Sequence, residues 1–190
     1  IANAGIVRIV FGEFYRDNKI FEFSQKLGIE LVDFSKHMRM PAAAPDSHVD
    51  ALQRIRATLG PAGCIDAPEQ TARFLTDFRG QYRGATPFVA CPATTTEVAQ
   101  VLALCNAARI AVVPQGGNTS YCGGATPSAR GDQLVLSLHR LNRIREVDAA
   151  NFSLIAEAGC VLMNVQAAAR SVDRLFPLSL GAEGSCTIGG

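Results

Sequence analysis

The sequence carries little net charge and no long apolar run. Its 18 basic and 17 acidic residues leave a formal net charge of +1, which gives no electrostatic basis for binding nucleic acid or an anionic membrane. No apolar run approaches the ~20 residues of a membrane-spanning helix. With 48% hydrophobic and 18% charged residues, the composition is typical of a folded globular protein. Its 190 residues fit one domain, or one domain with a short appendage.

Cysteine pairs with metal-ligand spacing are also absent. The six cysteines are widely spaced and include no CxxC pair, which argues against a zinc ribbon or an iron–sulfur cluster in this chain. A domain of this length does not depend on disulfides, so we expect reduced thiols and a cytoplasmic protein. We expect no metal site.

Lysine is missing from most of the chain. All three lysines lie at or before Lys36, so we separate residues 1–40, a segment of doubtful origin, from a helical lead-in over 41–86 and a third region over 87–190. Two interpretations of the first segment stay open. It is a genuine extension that packs on the domain, or upstream sequence read in frame before a start at Met38 or Met40. Because the sequence closes inside a glycine-rich run, we expect it to be cut in the middle of a motif.

The clearest regular pattern is a strand–helix–strand unit. Residues 88–91 predict a buried strand that Pro92 ends. Thr94 followed by Glu97 matches a capping box at the start of a helix. The next strand is predicted over 110–113, so this order favours a parallel pair joined by a right-handed crossover.

Further patterns flank this unit. Apolar positions at near-helical spacing predict a helix over 46–60 that Gly60-Pro61 ends. Leu134, Leu136 and Leu138 alternate as in a half-buried strand. The remaining predicted elements are strands over 141–147 and 152–158 and an amphipathic helix from 161 to 172.

A glycine-rich loop from Pro114 to Gly124 follows the strand at 110–113. Glycine permits φ > 0 and lets a ligand approach the backbone closely, and successive N–H groups can converge on one anion. Asn118, Thr119 and Ser120 add uncharged side-chain donors, a combination that favours a pyrophosphate. The predicted binding residues here are Pro114, Gln115, Gly116, Gly117, Asn118, Thr119, Ser120, Gly123 and Gly124.

This loop matches neither common nucleotide motif. A Rossmann fingerprint opens a helix directly, whereas Thr126-Pro127-Ser128 and a predicted strand follow here. A Walker A loop contains a Lys-Ser/Thr pair, which is absent. On the loop alone, a tight turn without a ligand remains an alternative.

A second loop from Pro177 to Gly190 shares the small residues, hydroxyl donors and bare backbone of the first. We expect each loop to follow a strand–helix–strand stretch, and the two together can hold both ends of one dinucleotide. The predicted binding residues in the second loop are Pro177, Gly181, Gly184, Ser185, Cys186, Thr187, Ile188, Gly189 and Gly190.

Several ordered motifs carry a family resemblance. Residues 114–119, Pro-Gln-Gly-Gly-Asn-Thr, resemble the pyrophosphate loop of the FAD-binding domain in the vanillyl-alcohol oxidase and p-cresol methylhydroxylase superfamily, and residues 92–98 resemble its entry segment. The segments at 77–84, 141–144, 158–162 and 181–190 are similar to those of the D-2-hydroxyglutarate and D-lactate dehydrogenase branch. Three positions depart from the family pattern and bear on the substrate: Ser120 replaces a common Gly, Glu183 a basic residue and Thr187 a His.

The resemblance implies an α+β fold, a two-subdomain FAD-binding domain of the p-cresol methylhydroxylase type, truncated before completion. It implies FAD-dependent oxidation of a D-2-hydroxy acid, D-2-hydroxyglutarate or D-lactate, to the 2-oxo acid, with hydride transfer to flavin N5. The catalytic residues, the substrate site and any metal would lie in a later domain, so none is assigned here and we do not expect the chain to be active alone. The implied partners are FAD, the hydroxy acid and an electron acceptor.

The resemblance also bears on how FAD is attached and leaves two other functions open. Some relatives attach FAD through a His at the position of Asn118, so we expect non-covalent FAD here. The alternatives are another FAD-linked oxidase, of the glycolate or aldonolactone type, and a non-catalytic nucleotide-binding module.

Overall fold

The computed structural model describes residues 8–11, 30–33 and 45–189, and the chain divides into two compact units, Ile1–Ala42 and Ala43–Gly190. In the first unit, β1 (Arg8–Phe11) pairs in parallel with β2 (Glu30–Asp33). Met38 and Met40 lie outside the described residues, so both interpretations of the N-terminal segment stay open. The predicted division at residues 40 and 86 remains a prediction.

The second unit alternates helices and short strands. Its elements in chain order are α1 (Pro45–Leu59), a 3₁₀ turn (Pro61–Gly63), β3 (Cys64–Ile65), α2 (Pro68–Leu75), β4 (Val89–Ala90), α3 (Thr95–Ala108), β5 (Ala111–Gln115), β6 (Gln133–Ser137), β7 (Ile144–Asp148), β8 (Ser153–Ala156) and α4 (Leu162–Arg170). No helix in the described part of the chain is long and apolar enough to cross a membrane.

A four-stranded sheet in the order β3-β4-β6-β5 forms the centre of this unit. β3 is antiparallel to β4, while β4 and β5 are both parallel to β6. The predicted strand–helix–strand unit is therefore present, but β4 and β5 are not neighbours, because β6 lies between them. Val135 of β6 pairs with Val89 on one side and with Val113 on the other.

Burial explains why β6 occupies the middle of the sheet. Leu134 and Leu136 face a core formed with Ile55 of α1 and Val101 of α3, whereas Val135 packs against Phe74 on the opposite face. The prediction of a half-buried strand here is wrong, because a central strand covered on both faces needs apolar residues at successive positions.

The capping motif of α3 is present with one difference. The Thr94 Oγ1 accepts a hydrogen bond from the Glu97 N–H at 3.1 Å, as predicted. The Glu97 carboxylate accepts from the Ala93 N–H at 2.6 Å, one residue before the N-cap. Both contacts fix the start of the helix that connects β4 to β5.

The last elements form a separate hairpin and a helix. β7 and β8 pair antiparallel in a sheet of two strands. Phe152 adopts φ 54° in the turn and is 78% exposed, so the strand begins after it rather than at it. In α4, Leu162, Val165 and Ala169 are buried, which matches the predicted apolar face.

Candidate functional site

The first glycine loop begins at the carboxyl end of β5, where Pro114 and Gln115 still belong to the strand. The Gln115 side chain is buried, and its Nε2 donates to the carbonyls of Phe74 at 2.9 Å and Ala125 at 2.7 Å. The backbone carbonyl of Gln115 accepts from the Leu138 N–H after β6. The side chain of Gln115 therefore ties the start of the loop to α2 and to Ala125 just after the loop, and its backbone joins the loop to the residue that follows the central strand.

Asn118 has a structural role that the sequence interpretation missed. Its Nδ2 donates to the Arg73 carbonyl at 3.1 Å and the Thr76 carbonyl at 2.8 Å. Because an amide has only two N–H donors, the expectation that this side chain offers a donor to the ligand is wrong. Asn118 also has φ 52°, a left-handed conformation that Asn tolerates better than most residues.

The backbone of the first loop presents a run of unpaired donors. In residues 45–189, no protein acceptor pairs with the N–H groups of Gly116, Gly117, Asn118, Thr119 and Ser120. The run ends at Cys122, whose N–H donates to the Ser120 Oγ at 3.2 Å. Consecutive N–H groups without internal partners are the donors that an anion-binding nest requires.

The two glycine loops meet at Gly117. A Cβ placed on Gly117 would overlap the Ser185 carbonyl and would lie 3.1 Å from the Cys186 Cα. The second loop therefore passes directly over the first. Position 117 has no room for a side chain, because the backbone of the second loop occupies that space. The structure thus brings Ser185 and Cys186 beside the run of unpaired donors.

The second loop is fastened to the start of α4. The Leu162 and Met163 N–H groups donate to the carbonyls of Cys186 and Glu183, at 3.1 and 3.0 Å, and Thr187 pairs with Val161. These loop carbonyls satisfy the first donors of the helix, so the α4 N-terminus is not an open anion site. The segment before the loop is α4, not a strand, so the predicted strand–helix–strand stretch is wrong here.

Glu183 organises the first half of this loop. Hydrogen bonds from Ser179, Gln166 and the Leu180 N–H lower the pKa of its carboxyl. Its carboxylate thus closes a turn within the loop. Of the other predicted residues, Pro177, Gly181, Gly184, Ile188 and Gly189 are exposed, and Gly190 lies outside the described residues.

A hairpin over residues 76–84, here called the Asp77 hairpin, lies against the first loop. Thr76 and Arg83 pair across it. The buried Asp77 carboxylate accepts from the Tyr82 N–H at 2.6 Å and the Arg79 N–H at 3.0 Å. The sequence analysis used residues 77–84 only for the family resemblance and gave Asp77 no role, although an acidic residue at the start of a tight turn is a signal for such bonding.

An apolar cavity of about 600 Å³ lies between the β7–β8 hairpin and α4. Leu154, Val165 and Val172 line it, and Ile188 alone of the predicted binding residues reaches it. Its walls do not include the unpaired donors of the first loop. The cavity is therefore separate from the meeting point of the two loops.

Comparison with protein families identifies the domain. Residues 86–190 match the family model described as an FAD binding domain. The chain belongs to this family. Its cofactor is FAD, and the predicted α+β architecture of the p-cresol methylhydroxylase type is confirmed.

Two curated relatives of the chain are described as D-2-hydroxyglutarate dehydrogenases. The chain is 36% identical over 154 residues to a protein of Oryza sativa subsp. indica described as a probable mitochondrial D-2-hydroxyglutarate dehydrogenase, covering 81% of this chain and 27% of that protein. It is 37% identical over 152 residues to the mitochondrial D-2-hydroxyglutarate dehydrogenase of Danio rerio, covering 79% and 28%. The chain spans roughly a quarter of the length of these relatives.

Solved structures show the same fold at low sequence identity. Alkyldihydroxyacetonephosphate synthase matches with a TM-score of 0.68 at 15% identity, over 82% of this chain and 30% of that one. p-Cresol methylhydroxylase with substrate bound matches with a TM-score of 0.61 at 22% identity, over 75% and 28%. These likenesses establish the architecture of the FAD-binding domain and carry no further argument about substrate.

All six cysteines of the chain are free thiols. Burial raises the pKa of Cys91 and of Cys105 to about 11, so both remain protonated and unreactive at neutral pH. Cys186, at the loop junction, is partly buried, and Cys122 on the first loop is exposed.

Proposed function

We propose that this chain is the FAD-binding part of a dehydrogenase that oxidises a D-2-hydroxy acid, D-2-hydroxyglutarate or D-lactate, to the 2-oxo acid. The observation that carries the proposal is the run of unpaired N–H groups from Gly116 to Ser120 beside the second loop. The similarity to D-2-hydroxyglutarate dehydrogenases of rice and zebrafish supports the reaction class.

The first loop fits the pyrophosphate of FAD. Its donors are backbone N–H groups held rigidly by Gln115 and Asn118, so they need no rearrangement when an anion binds. We assign the pyrophosphate to residues 115–120. We likewise assign the ribityl chain and the flavin ring to the second loop from Gly184 to Gly189; its crossing of the first loop at Gly117 supports this assignment.

The flavin, when bound, supplies the acceptor for a hydride from the α-carbon of the substrate. The residues of this chain bind and orient it, and we assign none of them to proton transfer. His139 accepts or donates a hydrogen bond with the Ser137 Oγ at 2.9 Å, and burial together with Arg73 and Arg140 lowers its pKa. His139 is therefore neutral at pH 7, and its contacts support a structural role.

The apolar cavity beside α4 is not our cofactor site. Its walls near Leu154 and Val165 offer no row of N–H donors. A dinucleotide carries a charged pyrophosphate that needs such donors. The loop junction offers such N–H donors for the pyrophosphate, and the cavity does not.

The compartment of the protein is a separate question from its chemistry. Free thiols fit the expected cytoplasmic location, which remains a proposal. The names of the rice and zebrafish relatives include the word mitochondrial. Fractionation of cells that express the tagged natural protein decides between the two compartments.

An anaerobic visible spectrum of the natural protein tests the proposed reaction. A flavin absorption band that bleaches on adding D-2-hydroxyglutarate or D-lactate would support the proposal, and the faster of the two acids would identify the substrate. A band unaffected by both acids favours an oxidase of the glycolate or aldonolactone type. Absence of flavin, even after FAD is supplied, favours a non-catalytic nucleotide-binding module.

A further inference from the structure

We infer that Asp77 is a positioning residue for FAD: its carboxylate shapes the Asp77 hairpin, which holds the first glycine loop in its binding conformation. The inference rests on the proposed function, because it assumes that this loop holds the pyrophosphate. It adds a residue outside both glycine loops to the binding apparatus.

The carboxylate determines the shape of the hairpin. Besides the bonds to the N–H groups of Tyr82 and Arg79, the Asp77 backbone N–H donates to the Tyr82 carbonyl at 3.1 Å, and its carbonyl accepts from Gly80 at 3.0 Å. Asp77 therefore makes four hydrogen bonds to its own turn, and backbone N–H groups satisfy both carboxylate oxygens. The hydrogen bonds that the carboxylate accepts from the Tyr82 and Arg79 N–H groups lower the pKa of the Asp77 carboxyl, so it is ionised at neutral pH.

The hairpin so formed touches the first loop at two separate places. The Tyr82 ring covers Gly123, where an added Cβ would lie 2.6 Å from the ring, and Gly123 has φ +67°. The Arg79 guanidinium lies 4.3 Å from the centroid of the Tyr121 ring, a cation–π contact. Tyr121 follows the run of unpaired donors directly, and Gly123 lies two residues further along the chain.

A third connection joins the start of the hairpin to the middle of the run. Asn118 donates to the carbonyls of Arg73 and Thr76, the residues that lead into Asp77. The loop is thus held at Asn118, Tyr121 and Gly123. Because Asp77 fixes the path of the chain between these contacts, loss of its carboxylate displaces the donors relative to one another.

The β7–β8 turn provides a matched control. The Asp148 Oδ1 accepts from the N–H groups of Ala150 and Asn151, both at 3.0 Å, and backbone bonding likewise lowers the pKa of this carboxyl. Asp148 and Asp77 therefore both accept hydrogen bonds from backbone N–H groups of their own turns. The turn of Asp77 contacts the first loop, whereas Asp148 lines the apolar cavity, whose walls contain no residue of that loop.

The experiment compares Asp77→Ala, Asp77→Asn and Asp148→Ala in the natural protein, with dissociation constants for FAD and for riboflavin. Riboflavin lacks the pyrophosphate, so a displaced loop penalises FAD selectively. We expect Asp77→Ala to weaken FAD binding by about tenfold or more and to change riboflavin binding by less than about threefold. Asp77→Asn, which keeps an acceptor oxygen, should recover part of the loss, and Asp148→Ala should leave both constants unchanged.

Two results would overturn the inference: an Asp77→Ala protein with unchanged FAD affinity, or equal losses for FAD and riboflavin, which indicate a general stability effect. If Asp77→Ala does not fold, Tyr82→Ala tests the same contact at Gly123 while retaining the carboxylate, and an unchanged ratio of the two constants there would equally contradict it. Wild-type protein that binds neither flavin contradicts the proposed function instead.

Discussion

Gly117 and Ser185 lie in backbone contact, so the two glycine-rich loops meet at a point that has no room for a side chain. We expect Gly117→Ala to separate the loops, because its methyl group would meet a backbone carbonyl that cannot rotate away. Overpacking of this kind costs about 1–3 kcal/mol. FAD affinity should fall with it, since Ser185 and Cys186 would move away from the donors of the first loop.

Thermal unfolding without FAD and fluorescence titration with FAD measure both effects. Gly124→Ala is the control for unfolding, because a Cβ at that position meets no atom within 4 Å. Equal unfolding temperatures for the two variants would show that the loops do not touch in solution.

Asn118 offers a second test of loop rigidity. Asn118→Gly keeps the left-handed backbone without strain but removes both hydrogen bonds to Arg73 and Thr76. We expect a loss of about 1–2 kcal/mol in the free energy of unfolding. Asn118→Asp should lose more, because a carboxylate would then face two carbonyl oxygens. Urea denaturation ranks the variants, and an Asp variant as stable as wild type would contradict the assigned contacts.

FAD should dissociate when the protein is denatured. The Asn118 side chain is an amide already bonded to two carbonyls, and it has no nucleophile for a flavin methyl group. Acid precipitation of the holoprotein should therefore leave the flavin in the supernatant. Flavin retained in the pellet would indicate a covalent bond, and Cys186→Ser would then test the cysteine at the loop junction.

Acid stability should depend on Glu157. Hydrogen bonds from the side chain and backbone of Arg143, and then from Arg145, lower the pKa of this buried carboxyl from 4.5 to about 2. Because the folded value lies below the ordinary one, its stabilising contribution is complete above pH 4.5 and is lost as the pH falls towards 2. Glu157→Gln should be less stable than wild type at pH 7, and the difference should shrink in that acidic window.

Thermal unfolding from pH 2 to pH 7 measures this dependence. Asp66→Asn is a suitable control, since its ion pair with Arg56 is exposed and such pairs contribute little. A constant difference between wild type and Glu157→Gln over the whole range would contradict the role assigned to the charge. Arg145 also donates to the Thr95 Oγ1 at 3.2 Å, so this cluster joins β7 to the start of α3.

The sequence predicted individual helices and strands better than it predicted which strands pair with each other in the sheet. Helix α1 and its end at Gly60, the cap at Thr94 and the apolar face of α4 depend on residues close in the chain. The insertion of β6 between β4 and β5 depends on which strand is apolar on both faces, and spacing within a single segment carries no information about that pairing.

The same distinction applies to the candidate site. Small residues and position after a strand were sufficient to locate the first loop. The sequence does not reveal why position 117 is glycine, because Ser185 is distant along the chain. It also does not reveal that the Asn118 amide donates to the carbonyls of Arg73 and Thr76. Asp77 was overlooked because its effect on the loop passes through Tyr82 and Gly123.

The strand order has a consequence for the order of folding. Since β4 and β5 both pair with β6 and not with each other, neither has its parallel neighbour until Gln133–Ser137 has left the ribosome. The first loop lacks its partner Ser185 for longer still. The loop that follows β5 is therefore completed only after the second loop has been synthesised, and we expect free FAD to bind a nascent chain only from that point onward.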